Sequence, residues 1–210
     1  MTKKIAKFIS FEGGEGSGKS SLLSALKPLF TEKKIKAHFT FEPGGSELGK
    51  ELREVLLKKR DYFSPKAEAL IYAAARAQHV EEVIAPLLEA GTHVLTDRYV
   101  DASLAYQGVA RQLGLKTIRD LNEWAIGGLY PDRTYFFDID PVIGLSRAKG
   151  RHELDRIECE KLDFHARIRE AYQHLAKSDS EGRFVIIDAA QTQEQVFAQV
   201  SKDLMLYLNQ

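Results

Sequence analysis

Five short apolar runs punctuate the chain: 4–12 (KIAKFISFE), 36–42 (KAHFTFE), 92–97 (THVLTD), 133–140 (RTYFFDID) and 183–188 (RFVIID). Their length and their Val, Ile, Phe and Thr content predict strands. Between them, apolar residues recur at three- and four-residue spacing. This pattern predicts helices over 20–34, 46–59, 66–89, 115–127, 141–150, 161–178 and 192–209. Strands alternating with helices predict an α/β fold, a parallel sheet covered by helices on both faces. No repeat, low-complexity tract or linker divides the chain, so one domain over 1–210 is expected.

One helical stretch does not fit its own pattern. In 68–88, EALIYAAARAQHVEEVIAPLL, Arg76 sits inside the most apolar run. A guanidinium is always charged and carries five N–H donors. It either snorkels to solvent or has a partner inside the molecule.

Composition narrows the classes. Of 210 residues, 44% are hydrophobic, and Lys+Arg and Asp+Glu are each 30. A neutral balance lacks the basic footprint of a nucleic-acid binder, so no nucleic-acid partner is expected. A single cysteine, Cys159, rules out an internal disulfide. No run approaches the ~20 apolar residues of a membrane span, and the basic N-terminus has too short an apolar run for a signal peptide. The expected location is the cytoplasm, without a membrane partner. Trp124, Phe136 and Phe137 are expected in the core and Cys159 as an inert, partly buried thiol. His79, His152 and His165 lack the company of metal ligands.

Three segments carry chemistry. After the first strand, Gly13–Ser20 reads GGEGSGKS and fits G-x-x-x-x-G-K-[S/T], with a strand before it and a helix after. Glycines let backbone N–H groups turn inward around a phosphate, and the following helix aims its positive end there. Lys19 adds a point charge, and the Ser20 hydroxyl is a candidate ligand of Mg²⁺. After the third strand, Asp97 and Arg98 lie at the carboxyl end of the sheet, where open parallel sheets bind ligands. Asp97 is the candidate to hold a Mg²⁺-bound water and Arg98 to bind a phosphate. Third, Arg147, Lys149, Arg151 and Arg156 crowd around Gly150, with acids following. That order predicts a basic lid, about 147–158, over a polyphosphate; an exposed basic turn is the plainer alternative.

These and further residues give the chain a resemblance to the bacterial thymidylate kinases. It rests on FEGGEGSGKSS, FEPGGSELGKELREVLL, YAAARAQ, DRYVDASLAYQG, GLYPD and ELDRIE, in that order, and spans nearly the whole chain. The resemblance implies a P-loop NTPase-type five-stranded parallel sheet, a homodimer, and transfer of the γ-phosphoryl group of ATP to dTMP with Mg²⁺. It assigns Gly13, Gly14, Glu15, Gly16, Ser17, Gly18, Lys19, Ser20 and Ser21 to the ATP phosphates and places Arg147 beside the adenine. It assigns Tyr72 to stacking on thymine and Arg76 to its O4, with Ser103 and Gln107 also on the base and Tyr106 under the deoxyribose. Arg53 and Arg98 become the clamp on the acceptor phosphate. Glu42 stands near that phosphate, with Pro43 a candidate for a cis peptide bond. Glu15 orients the acceptor or its metal, and Arg151 is the lid cation. Lys19, Arg98, Arg151, Glu15, Asp97 and Glu42 form the catalytic set. The chain departs from the family pattern at Phe41, where arginine is common, at Ala102, where serine is common, and at Tyr72, where phenylalanine is usual. Another P-loop nucleotide or nucleoside kinase, and an ATP-binding regulatory switch, stay open as alternatives.

Overall fold

The structure, a computed structural model, describes residues 6–58, 62–150 and 155–209. Five strands, β1 (Phe8–Gly13), β2 (Ala37–Phe41), β3 (His93–Asp97), β4 (Arg133–Asp138) and β5 (Phe184–Asp188), form one sheet. Its order is β2-β3-β1-β4-β5 and every neighbouring pair is parallel. The helices are α1 (Lys19–Glu32), α2 (Glu47–Leu57), α3 (Pro65–His79), α4 (Ala85–Glu89), α5 (Val100–Ser103), α6 (Leu115–Ile126), α7 (Pro141–Lys149), α8 (Leu162–Lys177) and α9 (Gln193–Leu208). A π-helical turn, Val80–Ile84, joins α3 to α4, and a second, Leu104–Ala110, continues α5.

The two-residue period of the strands sorts side chains between the faces. Ile9 and Phe11 of β1 and Tyr135 and Phe137 of β4 face one side, where they meet Leu22, Leu26 and Phe30 of α1 and Val200 and Leu204 of α9. Phe136 faces the other side and packs with Tyr106, Phe164, Ile168 and Tyr172. Phe8 and Val94 join Tyr99 and Val100 there. That second face also holds polar groups: the Ser10 and Thr134 hydroxyls share a hydrogen bond of 2.8 Å, and Arg183 bonds both Thr134 and Asp101. Glu12, in the same row, is fully buried.

Local chemistry fixes the helix starts. Ser46 accepts from the Gly49 N–H at the head of α2, Asp140 caps α7, and Thr192 with Gln195 forms a capping box on α9. The expected strands and helices appear in their expected order.

One helical segment was not foreseen, and two expectations are corrected. The segment Val100–Ala110 is helical although its pattern announced no helix. Trp124 is not core but 87% exposed. On α6 the inward positions are Ile118, Asn122, Ala125 and Ile126, and Trp124 falls on the opposite face. Cys159 is exposed rather than partly buried. Among the described residues no helix is long and apolar enough to cross a membrane, and no cluster of three or more His, Cys, Asp or Glu could hold a metal ion.

Candidate active site

β1 ends in Gly13, and the chain turns through Gly14–Gly18 into α1. Gly18 occupies the N-cap of α1 with φ 93°, a left-handed conformation. Lys19 curls back over the loop: its Nζ donates to Gly13 O, Gly14 O and Ser17 Oγ, each at 3.0 Å. Burial, and then the nearby Arg98, push the Lys19 ammonium down to about 8. Gly16 admits no side chain, since a Cβ there would stand 1.9 Å from the carbonyl oxygen of Gly144 in α7.

β3 delivers Asp97 and Arg98 beside this loop, in register with Phe11. The Ser20 hydroxyl donates to Asp97 Oδ2 at 2.7 Å. Arg98 has φ +70°, a conformation a non-glycine residue adopts only when its surroundings impose it. Three bonds do so: Arg98 N–H donates to Phe11 O, Thr96 Oγ1 donates to Arg98 O, and the next N–H, of Tyr99, donates to Glu12 Oε1. The guanidinium then reaches the loop. Nη1 donates to Gly13 O at 2.9 Å and Nη2 to Glu15 Oε1 at 2.6 Å, while Tyr106 Oη donates to the same oxygen. Burial alone would raise Glu15, but Arg98, Lys19 and the Tyr106 hydroxyl hold it down at about 2.

On one side of this centre lies a cavity of about 550 Å³, open mouth included, and Arg76 is in its wall. The arginine does not snorkel; it is 2% exposed. Nε donates to Glu42 Oε2 at 2.7 Å, Nη1 to Ser103 Oγ and to Asn122 Oδ1, and Nη2 to Tyr99 O. A guanidinium has five N–H groups, so these four bonds leave one on Nη2 for a ligand. Glu42 is itself fixed, because His79 donates from Nδ1 to its Oε1 at 2.9 Å and bonds Thr40 through Nε2. The FEPGG turn is moulded around this pair: Glu42–Pro43 is cis, and a Cβ on Gly45 would lie 2.1 Å from His79 Nε2. Tyr72, one helical turn before Arg76, lines the same cavity, and burial beside Glu68 raises its hydroxyl to about 12.

A second cavity, of about 1120 Å³, opens on the other side of the loop between Gly16–Gly18, Ser21 and the start of α9. Arg147 borders it and donates to Ala189 O at 2.8 Å. A third hollow, of about 1290 Å³, shares Gly16–Gly18 with this one and Glu15, Glu42, Arg53 and Arg98 with the first. Together the three make one trough across the carboxyl ends of the strands.

The structure thus brings together the residues expected from sequence, with one exception. Arg151 lies outside the described residues, as do 152–154 of the expected lid. Glu42 borders the same hollow as Arg53 and Arg98, and both of its oxygens are taken, by Arg76 and His79, so it also holds the arginine in place. Arg53 donates to Pro43 O and stands 5.6 Å over the ring of Phe41, the residue found where arginine is common. Arg156, counted in the lid, turns away from the loop to Leu56 O and Glu68. Sequence reasoning missed Glu12, Glu68, His79 and Asn122, buried polar residues that hold the expected ones. One signal was available for Glu68, which precedes Tyr72 and Arg76 by one and two helical turns and so shares their face.

A phosphate loop heading a parallel sheet, with a nucleotide-sized cavity on each side of it, defines a P-loop nucleotide kinase. The model of the family described as thymidylate kinase matches residues 11–200. A thymidylate kinase of Clavibacter sepedonicus is 46% identical over 194 residues, 92% of each chain. One of Carboxydothermus hydrogenoformans is 45% identical, covering 92% of this chain and 94% of the relative. The crystal structure of thymidylate kinase from Ehrlichia chaffeensis superposes with a TM-score of 0.76 at 28% identity, covering 95% of this chain and 98% of that one. The chain belongs to the thymidylate kinase family.

Proposed function

We propose that this enzyme transfers the γ-phosphoryl group of ATP to dTMP, giving dTDP and ADP, with the thymine in the cavity of Arg76 and the adenosine in that of Arg147. Family membership supports the reaction. The observation that carries the assignment of sides is Arg76: a buried guanidinium with one N–H left over faces a cavity that also presents Tyr72 and Gln107. An unpaired donor donates to the O4 of a thymine and opposes the amino group of a cytosine. Tyr72 offers the flat surface for stacking, and Tyr106, in the same wall, is the residue for the deoxyribose to pack on.

The acceptor needs no general base. A phosphate monoester loses its second proton near pH ~6, so dTMP is largely a dianion at neutral pH. Glu15, held at about 2, takes up no proton there. Its work is to aim Arg98 and Tyr106. The difficulty is to gather two polyanions, and Lys19, Arg53 and Arg98 do that from the protein side, with Arg151 proposed to close over them. The Ser20 hydroxyl and Asp97 carboxylate, touching at 2.7 Å, are the hard oxygen donors that suit Mg²⁺. Ser20 would ligate Mg²⁺ and Asp97 would hold one of its waters, and an ion so held would neutralise phosphate charge.

The same reading makes the protein a cytoplasmic homodimer, folded as one domain. Leu48, Val55, Leu70 and Trp124 are exposed on α2, α3 and α6, three helices packed side by side, and an apolar face of that kind supports pairing with a second copy. Sedimentation of the protein tests this; a monomer at micromolar concentration refutes it.

A coupled ADP-release assay with ATP, Mg²⁺ and dTMP, dUMP, dCMP, AMP and thymidine tests the reaction. dTMP is expected to be the best acceptor and dCMP nearly inert. A preference for AMP, or ADP release that ignores the acceptor, overturns the reading.

A further inference from the structure

We infer that Glu68 is a specificity-positioning residue: it locks the side-chain amide of Gln107 so that only its carbonyl oxygen faces the base. The inference rests on the reading that this cavity holds a thymine.

Glu68 lies in the first turn of α3, has no exposed surface and takes no part in lining the cavity. Its Oε1 accepts from Gln107 Nε2 at 2.8 Å and from Arg111 Nε at 3.3 Å. Its Oε2 accepts from Arg156 Nη2 at 2.7 Å and lies 3.3 Å from Arg111 Nη2. A carboxylate only accepts, and this one takes bonds from donors at both of its oxygens. Gln107 must therefore turn its NH₂ toward Glu68. An amide has two ends of opposite character, and the end left for the cavity is the acceptor.

Chemistry then decides which base fits. Thymine and uracil carry a proton on N3 and an oxygen at position 4, while cytosine has a bare N3 and an amino group. Arg76 offers a donor and Gln107, so held, an acceptor. Thymine satisfies both, and cytosine opposes both, donor against donor and acceptor against acceptor. A free glutamine would flip its amide and accommodate cytosine at N3. Glu68 removes that freedom, and it does so with the carboxylate that also anchors Arg156, just beyond the segment of Arg151.

The test is Glu68→Gln, which is isosteric but offers both a donor and an acceptor. With this variant the ratio of kcat/KM for dTMP to that for dCMP should fall tenfold or more, mainly through a lower KM for dCMP. The ratio of dTMP to dUMP should stay unchanged, since both carry N3–H. Glu68→Asp keeps an acceptor-only group and should retain the cytosine barrier at a reduced rate. Equal losses for dTMP and dCMP in Glu68→Gln would mean a merely structural carboxylate and overturn the inference. A wild-type protein that phosphorylates dCMP as well as dTMP would instead overturn the underlying reading. Amide NMR on wild-type protein labelled with ¹⁵N-glutamine gives a readout that needs no variant. The Gln107 NH₂ should exchange slowly with solvent and dTMP should leave it bonded to Glu68; fast exchange in the nucleotide-free protein would overturn the inference.

Discussion

The two cavities flanking the phosphate loop are built from different materials. The acceptor side is walled by charged side chains, Glu15, Glu42, Arg53, Arg76 and Arg98 among them, and the three best buried are bonded to one another or to fixed neighbours. The donor side is about twice as large and bounded by glycine, by neutral polar groups of Ser, Thr and Gln and by apolar side chains, with Arg147 the one charged residue among the described residues that line it. Buried charges in fixed bonds cannot rearrange cheaply, because an unpaired charge inside the fold costs ~3–5 kcal/mol. On the proposed assignment, the Arg76 cavity is expected to reject wrong acceptors sharply, and the Arg147 cavity to grip mainly the polyphosphate common to all nucleoside triphosphates.

The largest test of that contrast is Arg76→Met. It strips Glu42 of its cation and the base of its donor, so kcat/KM for dTMP should fall ~10³-fold or more. The melting temperature should drop as well, and activity within tenfold of wild type would break the contrast. Arg151→Ala should lower kcat ~10²-fold while ATP binding, measured by titration, changes little; unaltered turnover would remove Arg151 from the reaction. dUMP should be a poor but measurable substrate, since one methyl group is worth ~1–3 kcal/mol, and rates equal to dTMP would show that the methyl meets no wall. Arg147→Ala should raise KM for ATP only about fivefold, an effect near 1 kcal/mol, with KM for dTMP unmoved; a larger change would mean the donor side is more selective than its lining indicates.

A last test reads stability rather than activity and concerns Glu12. Burial, and then Asp101, raise its carboxyl to about 7, although the Tyr172 hydroxyl and Tyr99 N–H pull it down. A group raised in this way binds its proton more tightly in the folded state. Its contribution to stability is whole below the ordinary carboxylate value of 4.5 and is lost as pH rises through about 7. Relative to Glu12→Gln, the wild type should lose on the order of 1–3 kcal/mol across that window, read from denaturant unfolding at several pH values. Parallel curves for the two proteins would show that Glu12 is not the titrating group.

What the chain reveals before folding follows from the range of each interaction. The strands were legible because a buried parallel strand is a continuous apolar run, and Lys19, Ser20, Asp97 and Arg98 because their motifs are local. The helical segment Val100–Ala110 was not, since no cap announces it: Tyr99 at its head is extended and bonds to Glu12 in a distant strand. Trp124 misled because its residue type argued for burial while the helical phase set by Ile118, Asn122 and Ala125 turned it outward. The holders of the acceptor site were hidden for a third reason. Glu12 meets Tyr172 across 160 positions and Arg76 meets Asn122 across 46, and nothing in either neighbourhood names the other.

The seating of Gly16 against Gly144 joins the phosphate loop to α7 backbone on backbone, with no side chain between to cushion it. A Cβ on Gly144 would in turn stand 2.3 Å from the carbonyl oxygen of Glu15, so even an alanine at either position must wedge loop and helix apart, and the two can keep their present spacing only while both lack a side chain.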